Sequence, residues 1–319
     1  MTSLYPEIEA FEEGMLEVGD GNSIHWRRSG NPDSMPALLL HGGPGSGSSD
    51  ATRRFFDPDH YCLIQFDQRG CGKSVPSAAH PDTDMSVNTT WHLVRDIETL
   101  RLFFGVDRWL VFGHSWGCTL ALLYAQAHPA RLRALVLAGI TMTRPSEIDW
   151  LYRGMAPLFP AEWSRFRANA ADAADERDLV AAYYRLLQSP AEETRLAAAR
   201  DWHDWEGASI LIDPDAALPR RWANPTYLLA RARIITHYFH HRAWLADGQI
   251  LRDIHKLAGI PAVMAHGRMD LEAPLCTAWE LSQAWPEAPL VVVAKSAHSP
   301  SSNGMAQAIV AATDSFRDG

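Results

Sequence analysis

The sequence predicts an α/β fold, a mostly parallel sheet flanked by helices, with an all-helical cap inserted into it. Three observations carry this expectation. Short apolar runs alternate with helical periodicities over the first 140 residues. The alternation stops from about Thr141 to Ile254, where the chain is rich in Ala, Arg, Trp and acidic residues and shows no convincing buried strand. It then resumes to the end. The chain therefore divides into a core of residues 1–140 and 255–319 and a cap of residues 141–254. At 319 residues it can bury a large interior. With 47% hydrophobic and 21% charged residues it reads as globular rather than disordered.

Taken in order, residues 13–28 alternate enough for two opening strands with a turn at Gly19-Asp20-Gly21-Asn22. Ala37–Leu40 and Cys62–Phe66 are short apolar runs of the kind covered on both faces. Leu93, Ile97, Leu100 and Phe104 fall on one helical face. Trp109–Phe112 is the next strand, followed by a helix with Leu120, Leu123 and Tyr124 on one side, and Ala134–Leu137 is another strand. Pro145, Pro157, Pro160, Pro190 and Pro225 punctuate the cap into short helices. Ala262–Ala265, a helix around Ala278–Trp285, the run Leu290–Ala294 and a helix near Met305–Phe316 complete the pattern.

The stretch that concentrates chemistry is Gly113-His114-Ser115-Trp116-Gly117, a G-x-S-x-G turn set between a strand and a helix. Such a turn holds a serine hydroxyl clear of the backbone beside the positive end of a helix. A serine needs a base, and the base needs a third group to orient it. In chain order the candidates are Asp270, just past Ala262–Ala265, and His298, just past the last strand, with Glu272 as an alternative acid. Ser115 is then the nucleophile, His298 the general base and Asp270 the group that fixes its tautomer. Activity is expected to decline as pH drops through about 6.5, the ordinary imidazole value. His41-Gly42-Gly43-Pro44-Gly45 supplies the bare backbone that an oxyanion needs, so the amides of Gly43 and Trp116 are the expected donors.

Other features exclude function classes. Gly70-Cys71-Gly72-Lys73-Ser74 ends like a phosphate loop, but Asp67 stands where the first glycine belongs. His237, His240 and His241 have no paired acidic ligand, so no metal is expected. A net charge of -9 with no basic face argues against nucleic acid. The acidic N-terminus lacks a signal pattern, no run approaches membrane-spanning length, and four cysteines without CxxC spacing need no disulfide framework. A reduced, cytoplasmic enzyme without cofactor fits these features. The oligomeric state is left open.

HGGPG (41–45), DQRGCGKS (67–74), NTTW (88–91), GHSWG (113–117), WHDWEG (202–207), ARIITHYF (232–239) and HGRMD (266–270), with the final Ala297-His298-Ser299, resemble the proline iminopeptidases of the α/β-hydrolase superfamily. The resemblance runs from about residue 10 to 315. It implies release of an N-terminal residue, proline or another small one, from a peptide or amide through an acyl-enzyme, without metal or cofactor. It also implies that Glu206 binds the substrate amine. A carboxylate between indoles is costly to desolvate unless a cation arrives. Tyr152 and Phe239 are expected in the same pocket. Two positions depart from the family pattern: Ile235 replaces a second amine-binding glutamate, and Thr141 replaces an aromatic residue after Gly139-Ile140. The altered pocket leaves open a specialised deaminoacylase that strips an aminoacyl group from a bulky apolar amide. A general esterase and a silent ligand-binding receptor are weaker alternatives.

Overall fold

The computed structural model describes residues 4–170, 178–212, 217–302 and 304–317. The chain opens with an antiparallel hairpin, β1 (Ala10–Gly19) and β2 (Asn22–Gly30), turning at Asp20-Gly21. There follow β3 (Met35–Leu40), β4 (Tyr61–Phe66), α1 (Thr90–Phe103), β5 (Trp109–Ser115), α2 (Trp116–Ala127) and β6 (Leu132–Ile140). Next come, among the described residues, the α-helices α3 (Pro145–Asp149), α4 (Pro160–Asn169), α5 (Leu179–Leu186), α6 (Glu192–Ile210), α7 (Pro225–His240) and α8 (Gln249–Arg252). The chain returns to the sheet with β7 (Ala262–Gly267), α9 (Leu275–Ala284), β8 (Leu290–Val293) and α10 (Met305–Asp314).

The eight strands form one sheet in the order β1-β2-β4-β3-β5-β6-β7-β8. The pairs β1–β2 and β2–β4 are antiparallel, and every pair from β4–β3 to β7–β8 is parallel. Burial follows from this layering. Every residue of β4 is buried, because helices cover both faces of a parallel sheet. Successive residues serve opposite faces: Leu38, Leu40, Val111 and Leu135 pack on one side, and Leu39, Leu110, Phe112 and Val136 on the other, against Ile309 and Val310 of α10.

The expected α/β class is observed, with two local differences. α2 is buried from Trp116 to Gln126, so the single apolar face read from the sequence was too narrow for a helix enclosed on all sides. Pro145, Pro160 and Pro225 each sit at the start of a helix, where a missing N–H costs nothing. Yet α6 has 19 residues and α7 has 16, longer than the short helices expected. No helix among the described residues is long and apolar enough to cross a membrane.

The strand order reverses beside β3: the chain steps from β3 outward to β4, then returns to the other side with β5. Ligands bind open α/β sheets at the carboxyl ends of the strands beside such a reversal. Here those ends are His41-Gly42-Gly43 and Ser115.

Candidate active site

Ser115 closes β5 with φ 57 and ψ -126, a conformation that costs a non-glycine residue about 1–3 kcal/mol. The flanking glycines allow it by close approach. A Cβ on Gly113 would lie 2.4 Å from the Gly117 carbonyl oxygen, and one on Gly117 the same distance from that of Leu40. The Ser115 hydroxyl lies 2.9 Å from His298 Nε2, and His298 Nδ1–H donates to Asp270 Oδ2 at 2.8 Å. Asp270 Oδ1 accepts from the Ala273 amide at 2.8 Å. Burial opposes the charge of Asp270, but His298 and the Ala273 amide hold its carboxyl below the usual range. The three residues expected to act together are therefore one hydrogen-bonded chain.

Glu272, the alternative acid, lies on the other side of the imidazole, with Oε2 3.8 Å from Nε2. Burial pulls His298 toward neutrality, but Asp270 and Glu272 outweigh it and push the imidazole up to about 9. The expected value of about 6.5 took no account of these two carboxylates. Two further histidines brace the site. His114 Nε2–H donates to the His298 carbonyl at 2.9 Å, and burial, with the neighbouring His298 charge, drops its own basicity to about 3. His266 accepts the Ile140 amide at 3.0 Å and donates to the Ala273 carbonyl at 2.7 Å, fixing the loop that carries Asp270. Sequence reading gave neither a role, because each acts through a backbone group distant in the chain.

On the opposite side of Ser115, the loop after β3 closes with the Ser46 amide on the Gly42 carbonyl at 3.2 Å. A Cβ on Gly42 would stand 3.1 Å from that of Ser115, so only glycine lets this loop approach so closely. Trp116 is the first residue of α2, where an N–H has no intrahelical acceptor. Gln68 ties the two pieces together: its amide nitrogen donates to the His41 carbonyl at 3.1 Å, and it accepts the Trp116 indole N–H at 3.0 Å. The rest of the DQRG stretch is scaffold. Asp67 accepts the Ser48 and Lys73 amides at 2.8 and 2.9 Å, and Arg69 pairs with buried Asp96 at 2.7 and 2.8 Å.

A cavity of about 370 Å³ opens over Ser115, walled by Tyr152, Glu206, Arg231, Phe239 and Glu272, and by Leu39, Phe55 and Phe112. Glu206 accepts from Tyr152 OH at 2.8 Å and Trp202 Nε1 at 3.0 Å, and its second oxygen pairs with Arg231. The cation the sequence argument demanded is thus already supplied by the chain. Burial raises the cost of the Glu206 charge, and Arg231 overcomes it, keeping the carboxyl below its usual range. Arg231 was missed because nothing in the linear sequence links it to a residue 25 positions earlier.

Thr141 reaches the cavity wall, but its hydroxyl is turned onto Glu147 at 2.7 Å. Ile235 does not reach it. The side chain is fully buried in the apolar core, although it lies on the same face of α7 as Arg231 and Phe239. A short β-branched side chain stays near the helix surface, while the longer residues one turn either way extend to the cavity. Among the described residues no His, Cys, Asp or Glu group forms a metal-binding cluster. His237 instead bonds the Asn88 carbonyl at 3.1 Å, and His241 stacks on Trp244.

Sheet order, strained serine and hydrogen-bonded Ser–His–Asp chain together define a serine hydrolase of the α/β-hydrolase class, and the alpha/beta hydrolase fold family matches residues 36–304. The chain is 45% identical to a probable proline iminopeptidase of Streptomyces coelicolor over 99% of this chain and 98% of that one. It is 46% identical to a proline iminopeptidase of Xylella fastidiosa over 99% and 100%, and 40% identical to one of Arabidopsis thaliana over 99% and 82%. The chain belongs to the proline iminopeptidase family. Among solved structures, a proline iminopeptidase of Mycobacterium smegmatis superposes with a TM-score of 0.63 at 18% identity, over 96% of this chain and 98% of that one. VinJ does so with a TM-score of 0.71 at 20% identity, over 97% and 99%. At such identities these likenesses speak for the fold.

Proposed function

We propose that this protein is a serine aminopeptidase that releases an N-terminal residue, proline or another small one, from a small peptide or aminoacyl amide. The observation that carries the reading is the Asp270–His298–Ser115 chain, which delivers a hydroxyl to the floor of a walled cavity. Ser115 Oγ attacks the carbonyl carbon and gives its proton to His298 Nε2. The oxyanion that forms is held by the Gly43 and Trp116 amides. His298 returns the proton to the leaving amine as the C–N bond breaks, leaving an acyl-enzyme. Water, deprotonated by the same imidazole, cleaves that ester, and Ser115 recovers its proton. Asp270 holds the tautomer and stabilises the imidazolium. None of these steps needs a cofactor.

In this reading residues 141–254 are a cap on the core of 1–140 and 255–319, and the free N-terminus faces the cavity wall that carries the Glu206–Arg231 pair. Tyr152, Phe239 and Thr141 shape the space for the acyl side chain. The enzyme works on soluble substrates in the cytoplasm. Replacement Ser115→Ala should abolish turnover of aminoacyl arylamides while leaving the thermal midpoint in place, and a fluorophosphonate should label the unaltered protein at Ser115. Undiminished turnover by Ser115→Ala would refute the mechanism.

Leu39, Phe55 and Phe112 in the same wall favour a second reading, an apolar leaving group larger than a short peptide. Comparing prolyl and alanyl amides of small and bulky amines separates the two. High selectivity for a prolyl group on a small amine rules the second out.

A further inference from the structure

The two carboxylates in the cavity wall differ in what already holds them. Glu206 is saturated, with Tyr152 and Trp202 on one oxygen and Arg231 on the other. Glu272 is not: among the described residues no hydrogen-bond donor reaches its carboxylate, and the nearest charged group is His298 Nε2 at 3.8 Å. Its side chain keeps 26% exposure to the cavity, against 16% for Glu206.

Position argues the same way. The ammonium nitrogen of an aminoacyl substrate lies two bonds from the carbonyl carbon under attack, about 2.5 Å away. Its partner must therefore stand beside the nucleophile. Contacts of 3.8 Å from Glu272 to His298 and 2.9 Å from His298 to Ser115 keep this carboxylate within about 6.7 Å of the hydroxyl. The charged and titratable groups around Glu272 are Asp270 from its own loop, His298 from the loop after β8, Glu206 from α6, Arg231 from α7 and Tyr152 from the turn after α3. Glu206 and Arg231 cancel each other there. The charge left over for an incoming cation is that of Glu272.

We propose that Glu272 is the residue that takes the substrate's N-terminal ammonium, and that docking this ammonium draws Glu272 off the imidazole of His298. The proposal rests on the aminopeptidase reading above. In the free enzyme Asp270 at Nδ1 and Glu272 at Nε2 bracket the imidazole and favour its protonated, unreactive form. An ammonium that pairs with Glu272 neutralises one of the two, and His298 gives up its proton more readily. A free amine then brings the base into play, which an uncharged ester cannot do. Recognition and activation are carried by one carboxylate.

The test uses the full-length protein and its Glu272→Gln and Glu272→Asp variants, with alanyl and prolyl p-nitroanilides against p-nitrophenyl acetate. Glu272→Gln should lower kcat/KM on the anilides by about 10- to 100-fold, the worth of a hydrogen bond to a charged group. The ester, which has no ammonium to pair, should lose nothing, and the acid limb of its kcat/KM profile, which reports the free enzyme, should move to lower pH. Glu272→Asp keeps the charge and should restore part of the anilide preference. Equal losses on both substrates with an unmoved limb, or no loss on the anilides, would overturn this assignment alone. A wild-type enzyme that hydrolyses the ester but no aminoacyl anilide would overturn the aminopeptidase reading, and this proposal with it.

Discussion

Replacing Glu206 by Gln keeps the shape of the side chain and removes its charge, leaving Arg231 in the wall without a counter-ion. The side chains are only 16% and 11% exposed, so water replaces little of what is lost. The new amide also cannot accept from Tyr152, Trp202 and Arg231 at once as the carboxylate does. Breaking one half of a buried pair costs 3–5 kcal/mol, and because both groups edge a cavity we expect the low end, about 3 kcal/mol. At roughly 2 °C per kcal/mol for a chain of this length, the thermal midpoint should fall by about 6 °C. Arg231→Met strands the opposite charge and should cost a similar amount. The double variant Glu206→Gln/Arg231→Met should lose no more than either single one, giving a coupling energy of about 3 kcal/mol. Thermal melts of the four proteins followed by circular dichroism measure this. Singles that melt within about 1 °C of the parent, or effects that simply add, would refute the claim that Arg231 satisfies Glu206 before substrate arrives.

Three more outcomes follow from the geometry. The base must be neutral to accept the serine proton, and its carboxylate neighbours push His298 up to about 9, so kcat/KM on a neutral ester should rise with pH through that value. A limb centred near 6.5 contradicts the structure. The same shift contributes stability that is complete below the unfolded imidazole value, about 6.5, and is lost as pH rises through about 9; urea midpoints across that range would record it. His114→Ala removes the donor beneath the His298 carbonyl and should lower kcat on ester and anilide alike by about tenfold, with KM nearly unchanged. A loss confined to one substrate would assign His114 to the pocket instead. Arg233→Met strips donors from the Ala78, His80, Pro81 and Thr83 carbonyls and should destabilise the protein by about 2–3 kcal/mol; a denaturant midpoint unchanged from the parent would remove its structural role.

What could be read from the sequence was what the backbone dictates locally. Cys62–Phe66 and Ala37–Leu40 announced buried strands because covered strands need no polar face, and Gly113 and Gly117 marked the sharp turn around Ser115. Asp270 and His298 were legible because each follows a strand in the order this fold requires. The pocket was far less so. Ile235 was assigned to it by its place in a motif, yet it lies in the core, because the reach of a side chain decides what touches a ligand. Arg231 gave no signal at all, since its partner lies on another helix. Glu272 was noticed as a spare acid for the imidazole, but only coordinates set it on the face toward Ser115 rather than behind the ring. The ordinary imidazole value is incomplete for the same reason: a proton's affinity depends on charges that the linear order does not bring together.

The attachment of α7 bears on how substrate gets in. Arg233 grips four main-chain carbonyls between Ala78 and Thr83, Tyr238 holds the Asn88 side chain at 2.8 Å, and Tyr227 reaches the Ser46 carbonyl at 3.2 Å. Lifting this helix would strip all of these at once, at about 1 kcal/mol net for each bond. It is a fixed beam rather than a door. Substrate must therefore reach the hydroxyl without α7 being lifted away.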